Sequence, residues 1–234
     1  MCIYVCCRES LPVGPPKPFS FRKEKSFGIE DSKYLRQSLK TLGKEKTIMV
    51  MYMDRSEALE LLKEHLHNEN LIKHCIAVGA IMKGLAEKFG EDENLWELAG
   101  LLHDIDYEQT KDNHERHGLV ALEILNGKAP QEVLDTIPTH NDLTGFKREK
   151  KIDFALSAAD AISGLIIATA LMMPSKKMEE VKEESVLKKF KKKDFARNVD
   201  REKILLCEKI GLSLEEFIEV SLDTLKNVSE ELGL

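Results

Sequence analysis

Apolar residues recur at helical spacing along the chain from Asp54 onward, and this spacing predicts a series of amphipathic helices. The segment DRSEALELLKEHL opens the series, with Asp54 or Ser56 available as its N-cap. The next segment, NLIKHCIAVGAIMKGLAEKFG, carries an apolar stripe that includes His74, and Gly90 is expected to end it. The sequence has no run of alternating β-branched residues, so we expect an all-α protein.

Further helical segments follow in close succession. DENLWELAGLLHDI is apolar nearly all round, which is typical of a buried central helix, and HERHGLVALEILNG should end at Gly127. APQEVLDTIPTHN should begin with Pro130 at its first helical position, and Pro138 should kink or stop it, leaving His140 at its end. After KIDFALSAADAISGLIIATALMMP and a lysine-rich connection, two last helices are predicted near DREKILLCEKIG and LSLEEFIEVSLDTLKNVSEELG.

The first 53 residues have a different character from the rest of the chain. They include the proline-rich LPVGPPKPF and the charged FRKEKSFGIEDSK, which has no helical period. We interpret residues 1–53 as a disordered N-terminal extension, or as sequence upstream of a true start at Met53. Residues 54–175 are then the main domain, and residues 176–234 are appended C-terminal helices packed on the same domain.

Composition narrows the class of protein. With 42% hydrophobic and 32% charged residues, the chain can bury a substantial core. Its net charge of -6 argues against a surface devoted to nucleic acid, although the basic run KKFKKKDFAR could bind phosphate or RNA if it is more than a solvated surface. The five cysteines include no CxxC pair, so a reducing cytoplasmic location fits best.

The apolar stretch Phe154–Met173 raises the question of a transmembrane span. It has twenty residues and a single charge, that of Asp160. An aspartate at a bilayer centre costs about 2.5 to 3.5 kcal/mol on insertion scales. Small residues around this aspartate suit close packing in a soluble core, so we expect a buried helix and no membrane partner.

Two predicted buried helices carry acids, Asp104 and Asp160, and two apolar stripes carry histidines, His74 and His103. Burying such groups is costly unless each is paired. Each could be a separately satisfied core residue, but a single divalent cation would compensate all four. Imidazole nitrogen and carboxylate oxygen suit Mn, Fe, Co, Ni or Zn, and four such ligands leave positions for water and substrate.

These four residues, in the order His74, His103-Asp104 and Asp160, resemble the H…HD…D pattern of the HD-domain metal-dependent phosphohydrolases. The HDID segment is similar to the HDIG form of the family's doublet, and the resemblance covers about residues 55 to 175. It implies a helical bundle with a divalent metal at its centre, a transition metal being favoured over Mg. It also implies hydrolysis of a phosphate ester or anhydride in a small phosphorylated substrate, with a nucleotide as the favoured class.

The resemblance extends to two further histidines. His117 and His140 match, by order and local pattern, histidines that lie toward the substrate phosphates in the bacterial HD enzymes that split diadenosine tetraphosphate. In two-metal HD proteins, histidines in this part of the chain hold a second ion. The resemblance therefore implies that Asp104 binds the ion and orients a water, while His117 and His140 donate protons to the substrate. Packing in the core for His117, and a helix C-terminal charge for His140, are the structural alternatives.

Other charged residues near these motifs are candidates for smaller roles. Lys147 and Arg148 follow His140 closely, which would let them meet a substrate phosphate, although an exposed loop pair is the ordinary interpretation. Asp106 and Glu108 are candidate bases beside the doublet.

Two alternative functions remain open. The first is a regulatory helical module that binds a nucleotide or a metal without turnover. The second is an RNA-associated protein that uses the basic run, although the net charge makes nucleic acid an unexpected partner. The sequence does not decide the substrate or the oligomeric state, because one helical fold can serve many chemistries.

Overall fold

The computed structural model describes residues 53–234, so the interpretation of residues 1–52 lies outside the described residues. Within this range the secondary structure is helical, and no strand occurs among these residues. The prediction of an all-α fold is confirmed.

The first three helices are α1 (Arg55–His65), α2 (Glu69–Phe89) and α3 (Glu93–Leu102). Asp54 caps α1 and forms a reciprocal capping box with Glu57, which decides between the two predicted caps. Gly90 ends α2 in the left-handed conformation, as expected. Helices α2 and α3 pack against each other so closely that a Cβ at Gly100 would lie 2.7 Å from the Cα of Gly79. This contact holds α3, which leads into the His103-Asp104 doublet, against α2, which carries His74.

The middle of the chain is broken into short helices, which are α4 (Tyr107–Thr110), a 3₁₀ helix (His114–Arg116), α5 (Leu119–Leu125), α6 (Gln131–Thr136) and a second 3₁₀ helix (Ile137–His140). The prediction of one continuous helix up to Gly127 is wrong, because Gly118 has a φ of 86° and interrupts it. Pro130 is the N-cap of α6, whereas we predicted it at the first helical position, which Gln131 occupies. Helix α6 ends at Thr136, just before Pro138, and the 3₁₀ helix that follows ends at the buried His140. This agrees with the prediction that Pro138 stops the helix and leaves His140 at its end.

Helix α7 (Lys151–Leu171) is the long apolar helix predicted from the sequence. By length and composition it is the one helix in the described range that could cross a membrane. However, 67% of its most apolar window is buried inside the protein. It contacts α2 and α3, so its small residues serve close packing around the centre of the bundle.

The C-terminal part adds a 3₁₀ helix (Met178–Glu180), α8 (Glu183–Phe190), α9 (Arg201–Ile204), a second 3₁₀ helix (Leu205–Ile210), α10 (Leu214–Asn227) and α11 (Ser229–Leu232). Helix α10 packs on α2 and α7, so these appended helices extend the core that α2 and α7 begin. Helix α8 lies inside the lysine-rich connection, where the sequence analysis named no helix. Its buried Val186 anchors it, whereas the lysines that follow stay mostly exposed.

Candidate metal centre

The four residues predicted as metal ligands lie together at the centre of the bundle. His74 comes from α2 and Asp160 from α7, and their side chains are 3.2 Å apart, measured from Nε2 to Oδ1. His103 Nε2 lies 3.3 Å from Asp104 Oδ1, and His74 Nε2 lies 3.7 Å from Asp104 Oδ2. The packing of α2 against α3 and α7 therefore gathers residues that are far apart in the sequence.

The doublet lies in a turn directly after α3, whereas the sequence pattern placed it within a helix. Helix α3 ends at Leu102, and the chain tightens there because the Ile105 N–H donates to the Leu102 carbonyl at 3.2 Å. The Tyr107 N–H then donates to the Asp104 carbonyl at 2.9 Å. These short-range bonds turn the chain at the doublet. The end of α3 therefore places His103 and Asp104 directly in the cluster.

His103 gives the clearest sign that a cation fits this cluster. Its Nδ1–H donates to the Gly100 carbonyl at 2.8 Å, which can only accept, so its Nε2 carries a lone pair. That nitrogen is buried, has no hydrogen-bond partner among residues 53–234, and faces Asp104 Oδ1 at 3.3 Å. Burial lowers the pKa of His103 to about 4, so a proton does not bridge the two atoms near neutral pH. A metal ion at this point would satisfy both lone pairs.

His74 is oriented toward the same point. Ser163 Oγ donates to the Asp160 carbonyl at 2.8 Å, so it is free to accept from His74 Nδ1–H at 3.2 Å. This arrangement turns His74 Nε2 toward the carboxylates. Burial alone would raise the pKa of the Asp160 carboxyl, but its hydrogen bond and charge interaction with His74 hold that pKa well below its usual range. A proton and a divalent cation therefore compete for His74 Nε2.

His117 and His140 lie on the other side of Asp104. His140 Nδ1–H donates to the Ile137 carbonyl, which leaves its Nε2 as an acceptor 3.0 Å from His117 Nε2. Asp104 Oδ1 is 3.1 Å from His117 Nε2 and 3.5 Å from His140 Nε2. Burial would raise the pKa of Asp104, but the surrounding histidines hold it well below its usual range. The two added histidines thus join the cluster that the other four residues form.

Asp106 fixes the position of His117. Its buried carboxylate accepts from His117 Nδ1–H at 2.9 Å and from the backbone N–H groups of Gly118 and Ala121 at 2.8 and 3.0 Å. Burial lowers the pKa of His117, but the hydrogen bonds to Asp104 and Asp106 outweigh it and raise that pKa to about 10. Asp106 therefore acts as a positioning residue, with its acceptor oxygens already engaged.

Glu108 does not join the cluster, although the sequence made it a candidate base. Its carboxylate accepts from the backbone N–H groups of His67 and Asn68 at 3.0 and 2.8 Å. It therefore stabilises the start of α2 from outside.

The ligand atoms form two overlapping groups. Those of His74, His103 and Asp160 lie within 4.8 Å of one another, and so do those of His103, Asp104 and His140. Asp104 connects the groups, because its Oδ2 faces His74 and its Oδ1 faces the other histidines. The second group includes His140, which the sequence analysis assigned to the substrate. The geometry therefore permits His140 to be a ligand as well.

Two basic side chains donate hydrogen bonds to the backbone carbonyl of His140. The Arg148 guanidinium donates to the His140 carbonyl at 3.3 Å and to Asp142 Oδ1 at 2.7 Å, while its Nε–H donates to Ser157 Oγ at 2.6 Å. The Lys203 ammonium group, from α9, donates to the same carbonyl at 2.7 Å. Lys147 is exposed on the loop before α7. Lys203 was missed, since no local pattern connects it with a residue 63 positions earlier.

Comparisons with known proteins bear on this site. The family model of the HD domain matches residues 71–192. The chain is similar to Ribonuclease Y of Acholeplasma laidlawii, at 34% identity over 98 residues, which is 42% of this chain and 18% of that protein. It is similar to Ribonuclease Y of Alkaliphilus metalliredigens, at 30% identity over 136 residues, covering 57% of this chain and 26% of that protein. Ribonuclease Y of Bacillus thuringiensis matches 212 residues at 26% identity, or 87% of this chain and 40% of that protein.

The chain thus spans less than half the length of each of these three relatives. No solved structure matches it significantly.

Proposed function

The chain belongs to the HD-domain family, and on that premise we propose that it is a metal-dependent phosphohydrolase that cleaves a phosphate ester or anhydride. The observation that carries the proposal is the buried Nε2 lone pair of His103, which faces the Asp104 carboxylate at 3.3 Å. A cation between two such acceptors would satisfy both and offset the cost of their burial. A cation surrounded by histidine and aspartate suits phosphoryl transfer, because that reaction depends mainly on positioning and charge neutralisation.

In this proposal His74, His103, Asp104 and Asp160 hold a divalent transition metal. The donor set of imidazole nitrogens and carboxylate oxygens favours Mn, Fe, Co, Ni or Zn over Mg. When bound, the ion would lower the pKa of a coordinated water and polarise a phosphoryl oxygen. Asp104 serves both as a ligand and as an acceptor that orients the water, since its two oxygens face different parts of the cluster.

The roles of His117 and His140 follow from their proton positions. In the metal-free chain, hydrogen bonds to Asp104 and Asp106 raise the pKa of His117 to about 10, and we propose that its Nε2–H donates to a substrate oxygen. His140 presents Nε2 beside it, and the protein fixes both rings through Asp106 and the Ile137 carbonyl. Lys147 and Arg148 are proposed to contribute positive charge toward the substrate phosphate. Arg148 does so while it holds the His140 backbone.

The names of the relatives add RNA to the substrate classes that the site could accept. All three named relatives are called Ribonuclease Y, which weighs against the expectation from net charge that nucleic acid is an improbable partner. We propose two substrate classes for testing, a phosphodiester bond of RNA and a phosphate bond of a nucleotide. Both place a phosphorus centre next to the same metal ligands.

The test uses the full chain, purified and loaded separately with Mn, Co, Ni, Fe or Mg. Single-stranded RNA, nucleoside mono-, di- and triphosphates, and dinucleoside polyphosphates are incubated with each metal form, and released products are measured. We expect metal-dependent cleavage of at least one compound, and none with the matched Asp104→Asn variant. If nothing is cleaved but a nucleotide raises the melting temperature, the protein is a non-catalytic regulatory module instead.

A further inference from the structure

The loop between His140 and α7 exposes apolar side chains beside the metal centre. In the described part of the chain, three large apolar side chains are exposed, which are Leu143 at 59%, Phe146 at 50% and Met172 at 65%. Leu143 and Phe146 belong to this one loop, and Met172 follows the far end of α7. Two exposed apolar side chains near a proposed active site suggest contact with a ligand.

Hydrogen bonds hold this loop in place. The side-chain amide of Asn141 donates to the carbonyls of His114 and His117 at 2.7 and 2.9 Å. Thr144 Oγ1 donates to the Pro138 carbonyl at 2.7 Å, and in turn accepts from the Phe146 N–H at 3.3 Å. The backbone that carries the exposed Phe146 is therefore held by hydrogen bonds on both sides of Thr144.

The anchored loop places Phe146 between His140 and α7, in the same short segment as two basic residues. Phe146 lies two residues before Arg148, so their Cα atoms are at most about 8 Å apart. The Arg148 guanidinium and the Lys203 ammonium group both contact the His140 carbonyl. Lys147, between Phe146 and Arg148, is exposed. An exposed aromatic side chain thus belongs to the same short segment as Lys147 and Arg148, and Arg148 holds the backbone of His140 in the proposed site.

An exposed aromatic ring beside cations matches a phosphate compound that carries a nucleobase. Proteins bind unpaired bases by stacking them on aromatic side chains, while basic groups hold the phosphate. We propose that Phe146 is the stacking platform for a nucleobase whose phosphate reaches the metal centre. This inference rests on the proposed function and deepens it, because it names the residue that would bind the base of the substrate. A sugar phosphate without a base would lack this contact.

The test measures base stacking directly on the full-length, metal-loaded protein. Two fluorescent probes are used, which are 2-aminopurine riboside 5′-monophosphate and a single-stranded RNA containing one 2-aminopurine. Stacking quenches 2-aminopurine, and rapid mixing reads the quench before turnover. Ribose 5-phosphate, which has no base, is the competitor that reports phosphate binding alone. The variants are Phe146→Ala, Phe146→Trp and the matched exposed-residue control Met172→Ala.

We expect Phe146→Ala to weaken at least one base-bearing probe by roughly 5- to 150-fold, the usual value of a stacked base, and to remove its quench. Phe146→Trp and Met172→Ala should bind like the parent, and ribose 5-phosphate affinity should be unchanged in Phe146→Ala. An effect on the monophosphate alone identifies a nucleotide, and an effect on the RNA alone identifies a strand of RNA. Surface substitution of Phe146 should leave the fold intact.

Three results would overturn the inference: no quench with the parent, parent-like binding of both probes by Phe146→Ala, or an equal loss of ribose 5-phosphate in that variant. The hydrolysis assay separates this from the proposed function. If metal-dependent hydrolysis is found but Phe146→Ala binds like the parent, only the stacking role falls. If the quench depends on Phe146 and nothing is hydrolysed, the proposed function falls and base binding stands.

Discussion

Two buried charged regions on and just after α3 are satisfied in different ways. Glu97, within the helix, has a side chain only 8% exposed, and it pairs with Arg55 at 2.8 Å and Lys83 at 3.3 Å. Just past the end of the same helix, His103 Nε2 is buried with no hydrogen-bond partner in the described range. The first region obtains its cations from the chain. The second region contains acids, the protonated His117 and the neutral His103, and a cation from outside the chain would satisfy the buried Nε2 lone pair of His103.

The contrast separates a structural charge cluster from a functional one. Charge burial is costly in both regions, so each must be compensated. Arg55 also pairs with Glu231 of α11 at 2.7 Å, so the first region ties together the ends of the described chain. The second region gathers side chains from elements around the bundle centre, where we propose that they hold a metal ion.

The largest effect is expected from removal of an acid that the metal needs. Asp104→Ala should abolish metal-dependent turnover and metal retention, because both of its oxygens face the other ligands. Helical circular dichroism should remain close to that of the parent, since packing supplies most of the stability. Metal content by mass spectrometry and the far-ultraviolet spectrum measure the two outcomes. A variant that keeps its full metal content would place the ion elsewhere.

His140 tests the part of the second region that faces the substrate. His140→Ala should lower turnover by about 100-fold or more, the usual worth of a positioned acid or base. Metal occupancy should stay near one ion per chain, because His74, His103 and Asp160 still form a group of ligands. Loss of metal would instead make His140 a ligand of an ion. Unchanged turnover would reduce it to a structural residue.

The pH dependence of stability reports the buried neutral state of His103. Its pKa is about 4 in the folded chain against 6.5 for an unperturbed histidine, so between these values the unfolded chain binds more protons. The free energy of unfolding of chelator-treated protein should therefore fall by on the order of 3 kcal/mol as pH is lowered through this window. Urea unfolding at several pH values measures the slope, and His103→Gln should lack it. A flat profile in the parent would contradict the prediction.

The opposite slope is expected above neutral pH. His117 has a folded pKa of about 10, raised above 6.5, so its contribution is complete below pH 6.5 and is lost as pH rises toward 10. The chelator-treated protein should therefore be most stable near pH 6.5, between the two effects. Asp106→Asn, which weakens the hold on His117, should reduce the alkaline slope.

The smallest effect is expected in the first region. Glu97→Gln leaves Arg55 and Lys83 without their carboxylate, but these side chains are 37% and 46% exposed and water can solvate them. We expect a loss of about 1 to 2 kcal/mol in the free energy of unfolding. Metal content and turnover should not change. A loss of metal in this variant would show that the two regions are coupled.

The sequence predicted the helices whose periodicity is long and regular. It also predicted the order of His74, His103, Asp104 and Asp160, because a buried acid or histidine is conspicuous within an apolar stripe. The interruption at Gly118 was missed, since a glycine within an apolar period gives no sign that it will adopt a positive φ.

Tertiary contacts account for the rest of what was missed. Helix α8 lies in a lysine-rich stretch whose single buried Val186 acts only through packing on the rest of the protein. Lys203 reaches the His140 carbonyl across the fold, and Asp106 is tied to Gly118 and Ala121 by backbone bonds. None of these contacts has a local sequence pattern. The clustering of the candidate ligands was therefore more predictable than the residues that support them.

The most direct test of the central claim is a cobalt titration of the metal-free, full-length protein, followed by visible absorption. Cobalt bound by histidine and aspartate gives characteristic absorption bands, so their intensity measures the fraction of sites that hold the ion. We predict saturable bands in the parent and in Glu97→Gln, and none in His103→Ala, which lacks the buried lone pair. Absence of bands in the parent, or a parent-like spectrum in His103→Ala, would contradict the assignment of this cluster as a metal centre.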